Sequence, residues 1–67
     1  MELITSVANG KKVAKVFAVQ KGYYQVDMME SGKLVNRVSM FTEERAEQIA
    51  DEFVAPEGGY VPTLLKE

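Results

Sequence analysis

"KGYYQVDMMESGKLVNRVSMF" (Lys21–Phe41) decides the fold. Two β-prone runs rich in Tyr, Val and Met flank Ser31-Gly32, and the first of them follows Lys21-Gly22. Glycine tolerates the positive φ that a two- or three-residue hairpin turn demands, so each of these pairs reads as a reversal. Upstream, Asn9-Gly10 is a third signal of the same kind, and Asn-Gly is the strongest short-range hairpin mark. Three reversals in forty residues predict an antiparallel meander with strands near 2–8, 12–20, 23–30 and 34–41.

Side-chain alternation sets the expected register. A two-residue loop at Lys21-Gly22 pairs Val19 with Tyr24 and Phe17 with Val26. A three-residue Glu30-Ser31-Gly32 loop, with Gly32 left-handed in a G1 bulge, pairs Met28 with Leu34 and Tyr24 with Val38. A one-residue slip would expel every apolar side chain from its face. The expected inner face is Val13, Phe17, Val19, Tyr24, Val26, Met28, Leu34, Val38 and Met40. A two-residue Asn9-Gly10 loop adds Ile4 and Ala8 and leaves Leu3, Val7 and Val16 outside. The first strand alternates almost evenly, so its facing stays open.

After the sheet, Thr42 is placed to cap a helix, with Glu43 and Glu44 at the positive end of its dipole. Arg45 stands where a capping box would need Glu or Gln. Ala46, Ile49, Ala50, Phe53 and Val54 form an i, i+3, i+4, i+7 stripe, the mark of a helix with one buried face. Pro56 disfavours helix at Ala55 and should end it there. The expected fold is therefore α+β: a four-stranded antiparallel β-meander with one C-terminal helix packed on one face. Residues 1–56 form that ββββα domain, and 57–67 an extended C-terminal arm.

A 67-residue chain makes one domain at most, and about 60% burial on folding leaves a domain of this size marginal alone. It contains no cysteine and no histidine. Disulfides are thereby excluded and the common zinc and iron ligand sets nearly so, which leaves self-association as the expected reinforcement. No secretory leader is expected from Met1–Ala8, nor a membrane span from such short apolar runs. A cytoplasmic location is the expectation, inside the host if the chain is phage-encoded.

The same absences argue against an enzyme, because the commonest general base and the thiol nucleophile are both missing. Glu43, Glu47 and Asp51 line one helix face at i, i+4, i+8, but acid–base work needs a cleft that separates their pKa values. No EF-hand or phosphate-loop spacing occurs. No catalytic residue, cofactor, metal or small-molecule substrate is expected.

Binding surfaces remain. The outer sheet face is expected to carry Tyr23, Gln25, Asp27, Met29, Val35, Arg37, Ser39 and Phe41. With Leu3, Val7 and Val16 it makes a semi-apolar patch, the usual sign of a protein interface. In the arm, Tyr60, Val61, Leu64 and Leu65 are apolar and extended-leaning, since Pro62 biases the residue before it. They are expected to dock on the chain's own core, on a second subunit or on another protein. A homodimer is the favoured partner state.

A single-stranded nucleic acid is the competing partner, held by Lys12, Lys21 and Arg37 and stacked on Tyr23 and Phe41. Charge bears on both readings. Residues 1–41 carry a net +3 and residues 42–67 a net −5, within an overall −2. An acidic total is unusual for a nucleic-acid binder.

The stretch "GYYQVDMMESGKLVNRVSMFTEERAEQIADEFV" (Gly22–Val54) resembles small uncharacterised proteins encoded by bacteriophages, notably those of marine cyanobacteria, and by bacteria. The resemblance rests on the aromatic strand start, the "SGKLV" turn and the "TEERAEQIADEF" helix. It implies a hairpin, a third strand and a helix, and carries no functional residue. A looser likeness is to dimeric coactivator-type modules that bind single strands on a curved sheet. The acidic balance and sparse basic face depart from that pattern.

Overall fold

Strand β1 (Glu2–Asn9), β2 (Lys12–Gln20), β3 (Tyr23–Glu30) and β4 (Lys33–Met40) form one antiparallel sheet in the order β1-β2-β3-β4. Among the described residues one helix, α1 (Glu43–Val54), follows. A computed structural model describes residues 1–55. The expected α+β meander-and-helix fold is the fold of the chain. The arm, with Tyr60, Val61, Leu64 and Leu65, lies outside the described residues.

Each reversal is as tight as its glycine allows. Asn9 pairs with Lys12 across Gly10-Lys11, with Gly10 at φ 64°. Glu30 pairs with Lys33 across Ser31-Gly32, both at positive φ, 55° and 82°. Two consecutive positive φ values are the signature of a type I′ turn, whose twist matches that of the strands. The Ser31 amide also donates to the Lys11 carbonyl at 3.0 Å, tying two hairpin tips together.

The helix begins where its cap predicts. Thr42 is extended, and its hydroxyl accepts from the Arg45 amide at 3.2 Å, satisfying one of the free amides of the first turn. At the other end, Asn9 Nδ2 donates to the Val54 carbonyl at 2.7 Å. A side chain from the first hairpin thus satisfies a carbonyl that the helix leaves open.

Ala46, Ile49, Ala50 and Phe53 are buried against Ala14, Val16, Val26, Met28 and Val38. Ile4, Val7, Tyr24, Met40 and Val54 pack around this core. The helix crosses mainly β2 and β3. Three alanines, Ala14 below and Ala46 and Ala50 above, are nearly or fully inaccessible, so helix and sheet backbones approach closely there.

The faces of β2 are reversed from expectation. The Lys21-Gly22 turn closes as a two-residue loop, with Gln20 opposite Tyr23, but Ala18 pairs with Tyr24 and leaves Val19 as a bulge. One extra residue shifts the alternation by one. Val16 therefore meets Val26 and is fully buried, whereas Val13 and Phe17 are only partly covered and Val19 is exposed. In β1 a bulge at Ile4 places Thr5 opposite Val16 and Val7 opposite Ala14. Val7 packs on the core and Ala8, opposite Val13, is exposed.

Between β3 and β4 the turn has two residues rather than three, and the extra residue is Val35, inside the strand. Val38 and Met40 still face the core because either device shifts the phase equally. Leu34, however, precedes the bulge, lies opposite Met29 and is 48% exposed.

This inverted phase has a direct check in chemical denaturation. Val16→Ala should cost about 2–3 kcal/mol, from lost burial plus a residual cavity. Val13→Ala should cost under about 1 kcal/mol, since that side chain is only half covered. Equal costs, or the reverse order, would contradict the bulge at Val19.

Candidate functional site

With one sheet face under the helix, the other is left open among the described residues. Cross-strand partners define three rows on it. Ser6, Lys15, Asp27 and Arg37 form the middle row. On one side lie Leu3, Phe17, Gln25 and Ser39, and on the other Ala8, Val13, Met29 and Leu34. Two mixed apolar bands thus flank a charged stripe.

The stripe is built around Asp27, whose carboxylate is largely covered, with a side-chain exposure of 14%. Arg37 Nε donates to Asp27 Oδ1 at 2.8 Å and Arg37 Nη2 to Oδ2 at 3.2 Å, a two-pronged pair. Gln25 Nε2 adds a third bond to Oδ1 at 3.0 Å. The hydrogen bonds and charge of Asp27 hold the Arg37 guanidinium above its ordinary pKa. Lys15 sits opposite Asp27 on the other neighbouring strand and makes no ion pair among the described residues.

Beyond the end of the first band, Tyr23 and Phe41 meet with ring centroids 6.2 Å apart in a tilted arrangement. Tyr23 Oη donates to Ser39 Oγ at 3.0 Å, which fixes the phenol on the face. Phe41 is 77% exposed.

Of the residues expected at an interface, Leu3, Tyr23, Met29 and Phe41 do lie on or beside this face, and Val35 is exposed at its β4 edge. Val16 and Val7 do not: Val16 is in the core and Val7 packs against it, because β2 and β1 are turned over. Their places are taken by Val13, Phe17 and Leu34. The signal for this exchange was Lys15. A lysine in mid-strand belongs on the open face, and Val13 and Phe17 share its phase.

The five residues expected to bind nucleic acid are not assembled. Lys12 places its ammonium 5.6 Å from the centroid of the Phe53 ring, on the helix side. Arg37 is held by Asp27. Lys21, Tyr23 and Phe41 share the opposite end of the sheet, around the β2–β3 turn.

Elsewhere, a depression of about 300 Å³ is lined by Asn9, Lys11, Lys12, Glu30 and Ala55 at the helix C-terminus. Among the described residues no three carboxylates gather at metal-binding spacing, and no helix is long and apolar enough to cross a membrane. Comparison with protein-family models, curated proteins and solved structures finds no match.

On the helix, Glu47 is half-buried, and its carboxyl is pushed above the usual range. Burial is the main cause, followed by a hydrogen bond with Glu43 and the charges of Glu43, Asp51 and Glu44. Because the folded-state pKa is raised, the folded chain retains a proton that the unfolded chain has lost. Stability therefore falls as pH rises from the ordinary glutamate range through the raised value. Glu47→Gln should raise the melting temperature at neutral pH and leave it near that of the unmodified chain at about pH 3, where the Glu47 side chain is largely protonated in folded and unfolded chain alike. A variant no more stable at neutral pH would contradict this account.

Proposed function

We propose that the chain is a non-enzymatic interaction module that binds through its outer sheet face. The observation that carries this reading is the unequal treatment of the two faces. The inner one is covered by α1, while the outer keeps Leu3, Val13, Phe17, Met29 and Leu34 at least partly accessible. Accessible apolar surface of this kind, here divided by a charged stripe, characterises association sites. The Arg37–Asp27 pair adds a directional, solvent-facing element to an otherwise weakly specific patch. The phage or bacterial setting implied by the resemblance of Gly22–Val54 suits a small module that works by contact, in a cytoplasm.

A second reading draws support from one place. The exposed Phe41, packed on the partly covered Tyr23 at the same end of the sheet as Lys21, is suited to stacking on an unpaired base. Titration with a labelled single-stranded oligonucleotide at two salt concentrations separates the readings, since phosphate contacts weaken steeply with salt. Salt-sensitive binding lost in Phe41→Ala would favour nucleic acid.

The interaction reading is tested by a photo-crosslinking residue placed at Phe17 or Met29, against a control at Gln48 on the exposed side of the helix. Protein adducts, with any partner including the chain itself, are expected from the two sheet positions and not from Gln48. Adducts only from the helix would overturn the assignment of the face.

A further inference from the structure

We propose that the occupant of the outer face is a second copy of this chain, packed sheet on sheet about a two-fold axis that runs parallel to the strands between β2 and β3. This rests on the reading of that face as the binding surface. Two sheets stacked face to face and related by a two-fold must have the axis in the plane between them. It can run along the strands or across them, and the middle row decides which.

An axis across the strands, through the row, lays Lys15 on Lys15 and Asp27 on Asp27 of the second copy. Like charges would then meet in a region partly removed from water, which disfavours association. An axis along the strands exchanges β2 with β3. Lys15 then lies over Asp27 of the second copy, and Asp27 over its Lys15. In the adjoining rows Val13 meets Met29, and Phe17 meets Gln25.

The cross-strand register that produces this match is that of a single chain, with Lys15 opposite Asp27, Val13 opposite Met29 and Phe17 opposite Gln25. The face is thus complementary to itself in charge and in apolar content. Asp27 has acceptor capacity left: three hydrogen bonds, two from Arg37 and one from Gln25, occupy a carboxylate with about four acceptor positions. Lys15 brings a cation that makes no ion pair among the described residues.

Size supports the same occupant. Four strands about 4.8 Å apart, each of about eight residues rising about 3.3 Å, cover roughly 500 Å² per copy. Two copies bury roughly 1,000 Å², the lower bound for a specific interface. Association is therefore expected to be weak, in the micromolar range, with the strands of the two copies nearly aligned.

Charge exchange tests the arrangement. Lys15→Glu sets a carboxylate against the Asp27 carboxylate across the axis, and Asp27→Lys sets one ammonium group against another. Each variant alone should dimerise at least about tenfold more weakly than the unmodified chain in sedimentation velocity from about 5 to 500 µM. Mixed in equal amounts, the two variants pair unmodified Lys15 with unmodified Asp27 at one contact and the two exchanged charges at the other. A heterodimer should then recover most of the affinity. Circular dichroism establishes that each variant is folded.

An unmodified chain that stays monomeric throughout would overturn the proposal. So would variants that dimerise as well as the unmodified chain, or folded variants whose mixture gains nothing. Crosslinks from Phe17 to a different protein, with the chain itself monomeric, would overturn the second-copy assignment and leave the binding face in place.

Discussion

One extra residue, Val19, governs what this small protein shows to its surroundings. By bulging out of β2 it turns the strand over, so that Ala14 and Val16 lie under the helix while Val13, Lys15 and Phe17 face outward. The core depends on that choice. Val16 and Val26 meet at its centre, and the absence of side-chain bulk at Ala14 lets α1 descend onto the sheet. A strand in the other phase would place Phe17 under the helix and bury Lys15, a charge with no partner there. The bulge is thus a positional device rather than an irregularity.

The rest of the architecture locks this arrangement from its ends. Thr42 caps the helix start, Asn9 holds the last turn, and the Ser31 amide joins the two hairpin tips near that end. Each contact is modest, on the order of 1 kcal/mol. Together they set the helix axis over β2 and β3, and among the described residues the opposite sheet face is uncovered. Among the described residues the open face follows from the layer count, because one helix covers one face of the sheet.

Much of this was legible in the sequence because it is local. The Gly-bearing turns announce four strands, the spacing of Ala46, Ile49, Ala50 and Phe53 announces a helix, and Thr42 and Pro56 bound it. The facing of β2 was harder, since nearly every residue from Val13 to Val19 is apolar and alternation carries little contrast. Bulges are single-residue events without a composition signature, and Ile4, Val19 and Val35 all escaped. In β4 the error was harmless, because a G1 turn and a bulge at Val35 leave Val38 and Met40 in the same phase. In β2 it exchanged the core for the surface. Lys15 held the missing information, as the charge that could not be buried.

Solvent accessibility measured residue by residue tests the central claim most directly. In a dilute sample, NMR signals of side chains on the open face lose intensity when a soluble paramagnetic probe is added, and those under the helix keep theirs. Strong attenuation at Val13, Phe17 and Met29, with Val16, Val26 and Met28 protected, is the predicted pattern. Protection of Phe17 together with attenuation of Val16 would show that β2 faces the other way, and the account of both core and outer face would fall with it.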